Sequence, residues 1–445
     1  MKQPLIGIRR EDKHFTERRA PLTPEAVEAL QREGLVFHIE SSTSRVFDDK
    51  EYSAVGATVC DSLPACDFVV GIKEIPLGRL HPNTPHLFFS HTIKGQVYNM
   101  PMLKRMLDLK CTLIDYERVV DSRGRRLVFF GVHAGQAGMI NTIWSYGQRL
   151  KALGVVTPLA ELKQAKEYDS LSEAKTAIHH AAQELRRHPL SKKLLPLTCA
   201  ITGTGHVAAG AQEVFDELEP VRLSPDKFLE AAKYRWLKPN EIYKVVFRIK
   251  DMVKPKDEHA LFHLKDYFAH PDKYDSPFAD YLPYFSMILN GTYWDARFPR
   301  LVTVEDVKRL YLNRHEPKLI AIGDVSCDPC GSIECTVRAT LPDNPVYVYD
   351  PASGTAQDGF EGNGLQIMAV DILPTELPRE SSQTFSSMLV RWLPKLVRAD
   401  YHKPFNQVDL PAEFKTATIV YQGELTPDYR YLERHLAGLP SEAKQ

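Results

Sequence analysis

The sequence has no apolar stretch of about 18 residues, no h-region and no Arg/Ser-rich leader, so nothing in it reads as a membrane span, a secretory signal or a transit peptide. Cytosol is the expected location. It also lacks an excess of either charge. Its 56 Lys and Arg oppose 57 Asp and Glu, and no long basic run stands apart from acids, which argues against nucleic acid or a membrane surface as partner. Cysteine is sparse and odd in number, 7 in 445 residues, the usage expected of reduced thiols. Cys327, Cys330 and Cys335 form a C-x2-C-x4-C cluster, but no Cys or His follows close behind and His315 is the nearest preceding candidate for a fourth ligand. Small buried thiols are expected there, and no metal. No internal repeat is present.

What the chain does have is the composition of an ordinary globular enzyme, 43% hydrophobic and 25% charged, at a length that calls for two or three domains. Up to about residue 130, apolar runs alternate with helical patterns: LIGIR (5–9), VFHIE, DFVVGIK (67–73), HLFFS (86–90) and CTLID (111–115). That alternation predicts a parallel sheet. Thr23-Pro24-Glu25 is a helix start, with a capping hydroxyl, proline in the first turn and an acid near the positive dipole end, and Gly34 ends that helix. A long helical pattern, AGMINTIWSYGQRLKAL (137–153), separates this region from the next and reads as a bridge between domains.

The most informative segment follows it. LLPLTCAITGTGHVAAGAQEVFDEL (194–218) is an apolar run feeding a glycine-spaced turn that opens an amphipathic helix, the form of a dinucleotide-binding βα unit. Gly203 suits the tight turn, Gly205 the close approach of backbone to pyrophosphate, and Ala208 the packing of helix on strand. Val207, Ala211, Val214, Phe215 and Leu218 form the buried stripe, and the helix N-terminus offers free N–H groups to phosphate. PVRLS (220–224), YKVVFR (243–248), KLIAIGDVS (318–326) and VYVYD (346–350) read as later strands of the same sheet. The stretch 254–300, rich in Tyr, Phe, Asp and Pro, lacks clean periodicity and reads as an insertion. LQIMAVD (365–371) and the helical pattern 380–397 are expected to return to the first domain. The strand ending in Arg222-Leu223-Ser224 carries no acid to hold a ribose 2'-hydroxyl, so NADP is favoured over NAD.

Ligands in open parallel sheets bind beyond the carboxyl ends of the strands. Lys73 and His91 follow such strands, and Arg19 precedes a helix. Lys73 serves as acid or base when desolvated, and histidine, the residue at 91, is the side chain best suited to exchange protons at physiological pH. Glu74 and Glu117 stand where carboxylates could tune them. Arg19, Arg125 and Arg126 are candidates to fork onto substrate carboxylates, while Arg18 and Arg123 read as surface charge. Asp324 is another carboxylate at a strand end.

GIRRED, ERRAPLTPEAV, GIKEIP, FFSHTIK, LIDYE, FFGVHAGQAGMIN, TGTGHVAAGAQ, LNGTYW, GDVSCDPCGSIE and LPTELPRESS, in that order across nearly the whole chain, resemble the lysine-ketoglutarate reductase portion of aminoadipic semialdehyde synthase. More distantly the chain resembles lysine-forming saccharopine dehydrogenase and the N-terminal domain of alanine dehydrogenase and transhydrogenase. The resemblance implies an α/β protein of two Rossmann-like parallel-sheet domains with an interdomain cleft. Residues 1–131 with 362–445 would form the substrate domain, and 132–361 a Rossmann NAD(P) domain with the insertion at 254–300. It implies condensation of L-lysine with 2-oxoglutarate to an imine, then hydride transfer from NADPH to give saccharopine. The NAD-linked lysine-forming dehydrogenase is the alternative; a catalytically silent lysine or nucleotide sensor is opposed by the presence of Lys73, His91 and Arg19.

Residue by residue, the resemblance puts Lys73 and His91 in the acid-base positions and Arg19 on a substrate carboxylate. It puts Lys94, Gln96 and Phe130 on the substrate; Arg126 stands as a carboxylate binder on the guanidinium argument alone. The resemblance puts cofactor contacts on Arg125, Gly205, His206, Tyr293, Asp324, Val325 and Ser326, to which the reading of the glycine turn and the following strand adds Gly203, Val207, Arg222 and Ser224. Cys327 and Cys330 stand where the resembling proteins have small residues other than cysteine. The synthase carries a glutamate-forming saccharopine dehydrogenase module after the reductase. This sequence resembles the reductase half, so a separate enzyme of that kind, or a homo-oligomer, is the implied partner.

Overall fold

A computed structural model describes residues 3–12, 15–188, 190–191, 194–312 and 317–437. The chain divides into two compact units, Met1–Phe130 with Pro378–Gln445, and Gly131–Leu377. The first unit begins with β1 (Leu5–Ile8), α1 (Pro24–Arg32), β2 (Val36–Glu40), α2 (Asp49–Ala54), β3 (Thr58–Cys60), β4 (Phe68–Val70), β5 (Pro85–Phe88), α3 (Met100–Asp108) and β6 (Thr112–Asp115). Thr23 caps α1, its hydroxyl accepting the N–H of Ala26 at 3.2 Å, with Pro24 in the first turn. β1, β4, β5 and β6 read as short, almost wholly apolar runs because they are covered on both faces. Ile6, Ile8, Phe68, Val70, Leu87, Phe88 and Leu113 are buried. These strands pair in parallel in the order β3-β2-β1-β4-β5-β6, so the winding reverses between β1 and β4.

In the second unit α4 (Gly131–Ala152) and α5 (Leu171–Arg187) precede β7 (Leu197–Thr202), α6 (His206–Phe215), β8 (Val221–Leu223), α7 (Pro225–Lys233) and β9 (Ile242–Phe247). Next come α8 (Ile249–Met252), β10 (Lys254–Pro255), α9 (Leu264–Ala269), β11 (Tyr274–Asp275), β12 (Met287–Asn290), α10 (Val304–Leu312) and β13 (Ala321–Asp324). The last strands are β14 (Val346–Asp350), β15 (Thr355–Asp358) and β16 (Leu365–Met368). The parallel order is β8-β9-β7-β12-β13-β16, and β14 and β15 close the sheet antiparallel.

Three sequence expectations change here. The helix read as a bridge lies wholly inside the second unit and starts earlier, at Gly131. LQIMAVD does not return to the first unit: β16 pairs with β13 and β14, and the return begins at Pro378 rather than 362. The insertion is shorter than 254–300, since β12 is the strand between β7 and β13. Residues 254 to 286 hold the β10-β11 ribbon and short helices, whose aromatic rings pack on one another and on β9: Tyr267 meets Tyr274 at 5.3 Å, and Phe278 meets Phe247 of β9 at 4.8 Å. Those rings bury through mutual edge contacts, which leave no helical or strand period to read.

The returning segment is one helix in the sequence reading and two in the structure. α11 (Pro378–Val390) stops before a second helix, Leu393–Arg398, that has Pro394 in its first turn, where a missing N–H costs nothing. α11 is tied to the first unit by hydroxyls: Ser382 accepts the N–H of Ala20 at 2.9 Å and Ser386 that of Thr23 at 3.1 Å. β17 (Thr418–Tyr421) then adds antiparallel to β6, with β18 (Glu424–Leu425) beyond it.

α4 and α6 cross with their backbones almost touching. A Cβ on Gly210 would lie 2.0 Å from the carbonyl oxygen of Val132, and one on Gly135 would lie 1.9 Å from that of Val207. Glycine is the only residue these positions accept without moving a helix. Gly210→Ala is therefore expected to lower stability by about 1–3 kcal/mol through overpacking, read as a fall in thermal midpoint; an unchanged midpoint would mean that the helices can part freely.

Candidate functional site

Each unit has a polar cluster at the carboxyl edge of its parallel strands. In the first unit it gathers at the reversal between β1 and β4, the place where open α/β sheets bind ligands. The chain leaving β1 carries Glu11, whose buried carboxylate accepts the N–H of Ile72 at 2.7 Å and of Lys73 at 2.9 Å. This clamps the segment after β4 and fixes where the Lys73 side chain starts. Burial pushes the Glu11 carboxyl up to about 7, against the pull of nearby Arg9. At the end of β6, Asp115 accepts the N–H and hydroxyl of Ser90 and the N–H of Glu117, and burial raises it to about 6.

His91 follows β5 and sits at φ 49°, a left-handed conformation that L side chains rarely adopt. The constraint that holds it there is its ring, whose Nδ1 lies 2.7 Å from Glu74 Oε1 and whose plane lies near-parallel to Phe89 at 6.2 Å. Asn99 braces the pair by donating to Glu74 at 3.2 Å and to the His91 carbonyl at 3.3 Å. A histidine bonded at one nitrogen to a buried carboxylate is held in one ring orientation, the arrangement of an oriented general acid or base. Glu74, expected to tune the acid-base pair, is thus brought to His91.

Arg19 is buried and its Nε and Nη2 fork onto Glu17 at 2.7 and 2.6 Å, with the guanidinium 4.1 Å above Phe130. Phe130 in turn stacks on Phe385 at 4.4 Å. The expected fork to a ligand is therefore already taken on one edge by a protein carboxylate. Arg125 and Arg126 stand elsewhere on an exposed hairpin, paired with Asp121 at 2.7 Å and Glu117 at 2.9 Å. Glu117 thus pairs with Arg126 and not with His91. Lys94 is exposed, and Gln96 is half-buried with its Oε1 unpartnered among the described residues.

In the second unit Gly203 adopts φ 92° at the end of β7 and its N–H donates to the Phe247 carbonyl at 2.9 Å. α6 starts from Gly205, which supplies no side chain to cap the first-turn N–H groups, and a Cβ there would meet no protein atom within 4 Å. Protein packing does not demand glycine at 205; an approaching phosphate would, so the turn fits a dinucleotide. His206 is exposed and Val207 half-buried, while Ala208, Ala211, Val214, Phe215 and Leu218 are buried.

The strand order corrects the reading of the ribose end. β8 is an edge strand; β9 lies next to β7, so the residue beyond the neighbouring strand is Arg248 rather than Ser224. Arg222 points its guanidinium at Asp216, 2.6 Å away, and Arg248 pairs with Asp251 at 3.0 Å. The sequence reading assumed that the second strand neighbours the first. The signal it needed, three-way pairing of β7, β8 and β9, is long-range.

It also passed over Asn290. At the end of β12 this buried amide donates to Asp324 (2.9 Å), Ser326 (3.0 Å) and Ser332 (2.9 Å), and its oxygen accepts from Thr202 (2.7 Å) and Thr292 (2.8 Å). Asp324 further accepts from Thr336 at 2.7 Å, and burial raises its carboxyl above the usual range. One amide thus joins the carboxyl ends of three adjacent strands beside the glycine turn and orders Asp324 and Ser326. Val325 is half-buried, and Tyr293 is exposed with its hydroxyl 3.4 Å from Asp295. Cys327 and Cys330 take left-handed φ and Cys335 is buried; no group of three or more His, Cys, Asp or Glu able to hold a metal occurs among the described residues, and His315 lies outside them.

Residues 7–137 match the model of the alanine dehydrogenase/PNT N-terminal domain. The chain is 36% identical to alpha-aminoadipic semialdehyde synthase of Arabidopsis thaliana, over 99% of this chain and 42% of that protein. It is 34% identical to the mitochondrial alpha-aminoadipic semialdehyde synthase of Rattus norvegicus, over 97% of this chain and 48% of that one. It thus spans about half the length of these relatives. A saccharopine dehydrogenase [NAD(+), L-lysine-forming] of Emericella nidulans is 26% identical and is covered over 98% of its length by 93% of this chain. Among solved structures, an L-alanine dehydrogenase superposes with a TM-score of 0.60 at 15% identity, covering 97% of this chain and 99% of that one, a likeness of fold. The rat, mouse and bovine synthases are named as mitochondrial, which overturns the expectation of a cytosolic protein.

The two raised carboxyls of the first unit set a pH dependence. Between the ordinary carboxylate value and about 6 to 7, Asp115 and Glu11 keep protons in the fold that the unfolded chain has already released. Bound protons are then more numerous in the native state, so unfolding free energy falls as pH rises through that window and levels off above about 7. Glu11→Gln should remove roughly half of this slope, about 3 kcal/mol, in urea titrations at acid and neutral pH, with Asp115 supplying the remainder; a slope left unchanged by the substitution would assign it to groups other than Glu11.

Proposed function

We propose that this chain, related to aminoadipic semialdehyde synthase, saccharopine dehydrogenase and the alanine dehydrogenase/PNT N-terminal domain, is an NAD(P)-dependent oxidoreductase that interconverts L-lysine plus 2-oxoglutarate with saccharopine. The observation that carries this reading is the oriented His91–Glu74 pair, standing with Lys73 at the strand reversal of a unit whose relatives are named for this substrate. In the saccharopine-forming direction one of Lys73 and His91 takes a proton from the lysine ε-ammonium so that its amine can attack the 2-oxoglutarate carbonyl. The other gives a proton to the carbinolamine oxygen as water leaves and the imine forms. Arg19, held by Glu17, meets a substrate carboxylate with the edge that Glu17 leaves open. Lys94, Gln96 and Phe130 flank the substrate. Gly203 and Gly205, with Asp324, Val325 and Ser326, would hold the dinucleotide, which would supply or accept the hydride.

Replacing Lys73 with Met should cut turnover by about 100-fold or more while nucleotide affinity stays within about twofold, measured by nicotinamide absorbance with lysine and 2-oxoglutarate each present and omitted. Oxidation that needs only one of the two substrates would refute the condensation, and full turnover in the variant would remove Lys73 from the acid-base pair.

Relatives that the chain covers over most of their length are named for NAD(+), which supports NAD as cofactor. NADP is a second reading with its own support: neither β8 nor β9 ends in an acid, and Arg248 stands at the strand edge beside the glycine turn. Under that reading Arg248→Ala weakens NADPH binding by about tenfold, the worth of a charge-assisted hydrogen bond, and leaves NADH within about twofold. An equal effect on both nucleotides would favour NAD.

A further inference from the structure

A large cavity of the second unit lies away from the glycine turn. It measures about 580 Å³ and its walls are mainly apolar, among them Leu150, Leu153, Leu194 and Ile320. Leu194 leads into β7, Ile320 into β13 and Gly364 into β16, so the cavity sits at the amino-terminal edge of the parallel strands. Thr202, Gly203, Asn290 and Asp324 are at the opposite, carboxyl-terminal edge. A strand of four to six residues separates the two edges by roughly 13–20 Å.

Two cations line this space and neither forms an ion pair with a carboxylate among the described residues, although Glu361 lies near enough to act on Arg149 through space. Arg149 is buried; its Nη1 donates to the Phe360 carbonyl at 2.6 Å and its Nη2 to those of Gly362 and Gly364 at 2.8 and 3.0 Å, while its Nε is buried with no acceptor. Lys318 makes no hydrogen bond or ion pair to a described residue, and burial draws its ammonium down to about 8, which leaves it mostly charged at neutral pH. Asp350, the carboxylate on the wall, is engaged by the N–H of Ala352 at 2.8 Å and the hydroxyl of Ser353 at 2.9 Å. A desolvated cation with no counter-charge is costly, and buried polar groups are ordinarily satisfied. A cavity of this size with apolar walls and a few convergent polar groups is the form of a small-molecule site.

We propose that this cavity is a second ligand site, which takes a small organic anion with an apolar body, its acid group on Lys318 and Arg149 and its body against the leucines. Nothing in this assignment depends on the reaction assigned to the chain.

The test uses the whole protein and the fluorescence of anilinonaphthalene sulfonate, with octanoate and its uncharged counterpart octanamide as competitors. Saturable binding displaced by octanoate but not by octanamide, weakened about tenfold in Lys318→Met and again in Ala352→Glu at the exposed mouth, is the expected result. Ala352→Glu adds a carboxylate at the exposed mouth without touching the buried walls, so it tests the site even if Lys318→Met folds poorly. Equal affinity in both variants, displacement by octanamide, or displacement by NADH or NADPH would each overturn the proposal.

Discussion

A parallel strand ends with main-chain groups and a carboxyl edge that its neighbours do not close, and both units answer this constraint with a buried polar side chain. In the first unit Glu11 crosses from β1 to bind the N–H groups of Ile72 and Lys73 after β4. In the second, Asn290 spans from Thr202 to Asp324 across three strand ends. Removing either would leave main-chain or hydroxyl groups buried without partners, a cost of about 1–3 kcal/mol for each. The residues that position chemistry are therefore the ones that finish the sheet.

That coupling explains why the site residues are so confined. His91 holds a left-handed backbone because Glu74, Asn99 and Phe89 engage its ring and carbonyl from three directions. Arg19 is fixed by Glu17 on one edge and by Phe130 beneath, and Phe130 is fixed by Phe385 from the returning segment. Discontinuity in sequence is thus required: α11, more than 350 residues after Ala20, supplies both the hydroxyls that bind the Arg19 loop and the ring that backs its aromatic floor.

The second unit shows how sharply backbone approach limits sequence. Gly135 and Gly210 let α4 and α6 touch, which seats α6 and so the turn at its head. The glycine spacing of the turn was legible because a tight turn and an open phosphate approach impose local, residue-specific demands. The crossing was not, since Gly135 and Gly210 are ordinary helix glycines until two helices are brought together. Arg248 follows the same logic: it gains its place only once β9 inserts between β7 and β8.

By itself the sequence determined the α/β class, the capped start of α1, the glycine turn, and the strand-end positions of Lys73 and His91, because apolar period, capping chemistry and turn geometry act over a few residues. Only the tertiary structure decided that β16 stays in the second unit, that β12 is a central strand, that Glu17 occupies one edge of Arg19, and which strand borders the glycine turn. Those outcomes rest on pairings between residues tens to hundreds of positions apart, where many partners satisfy the same local pattern and packing selects one.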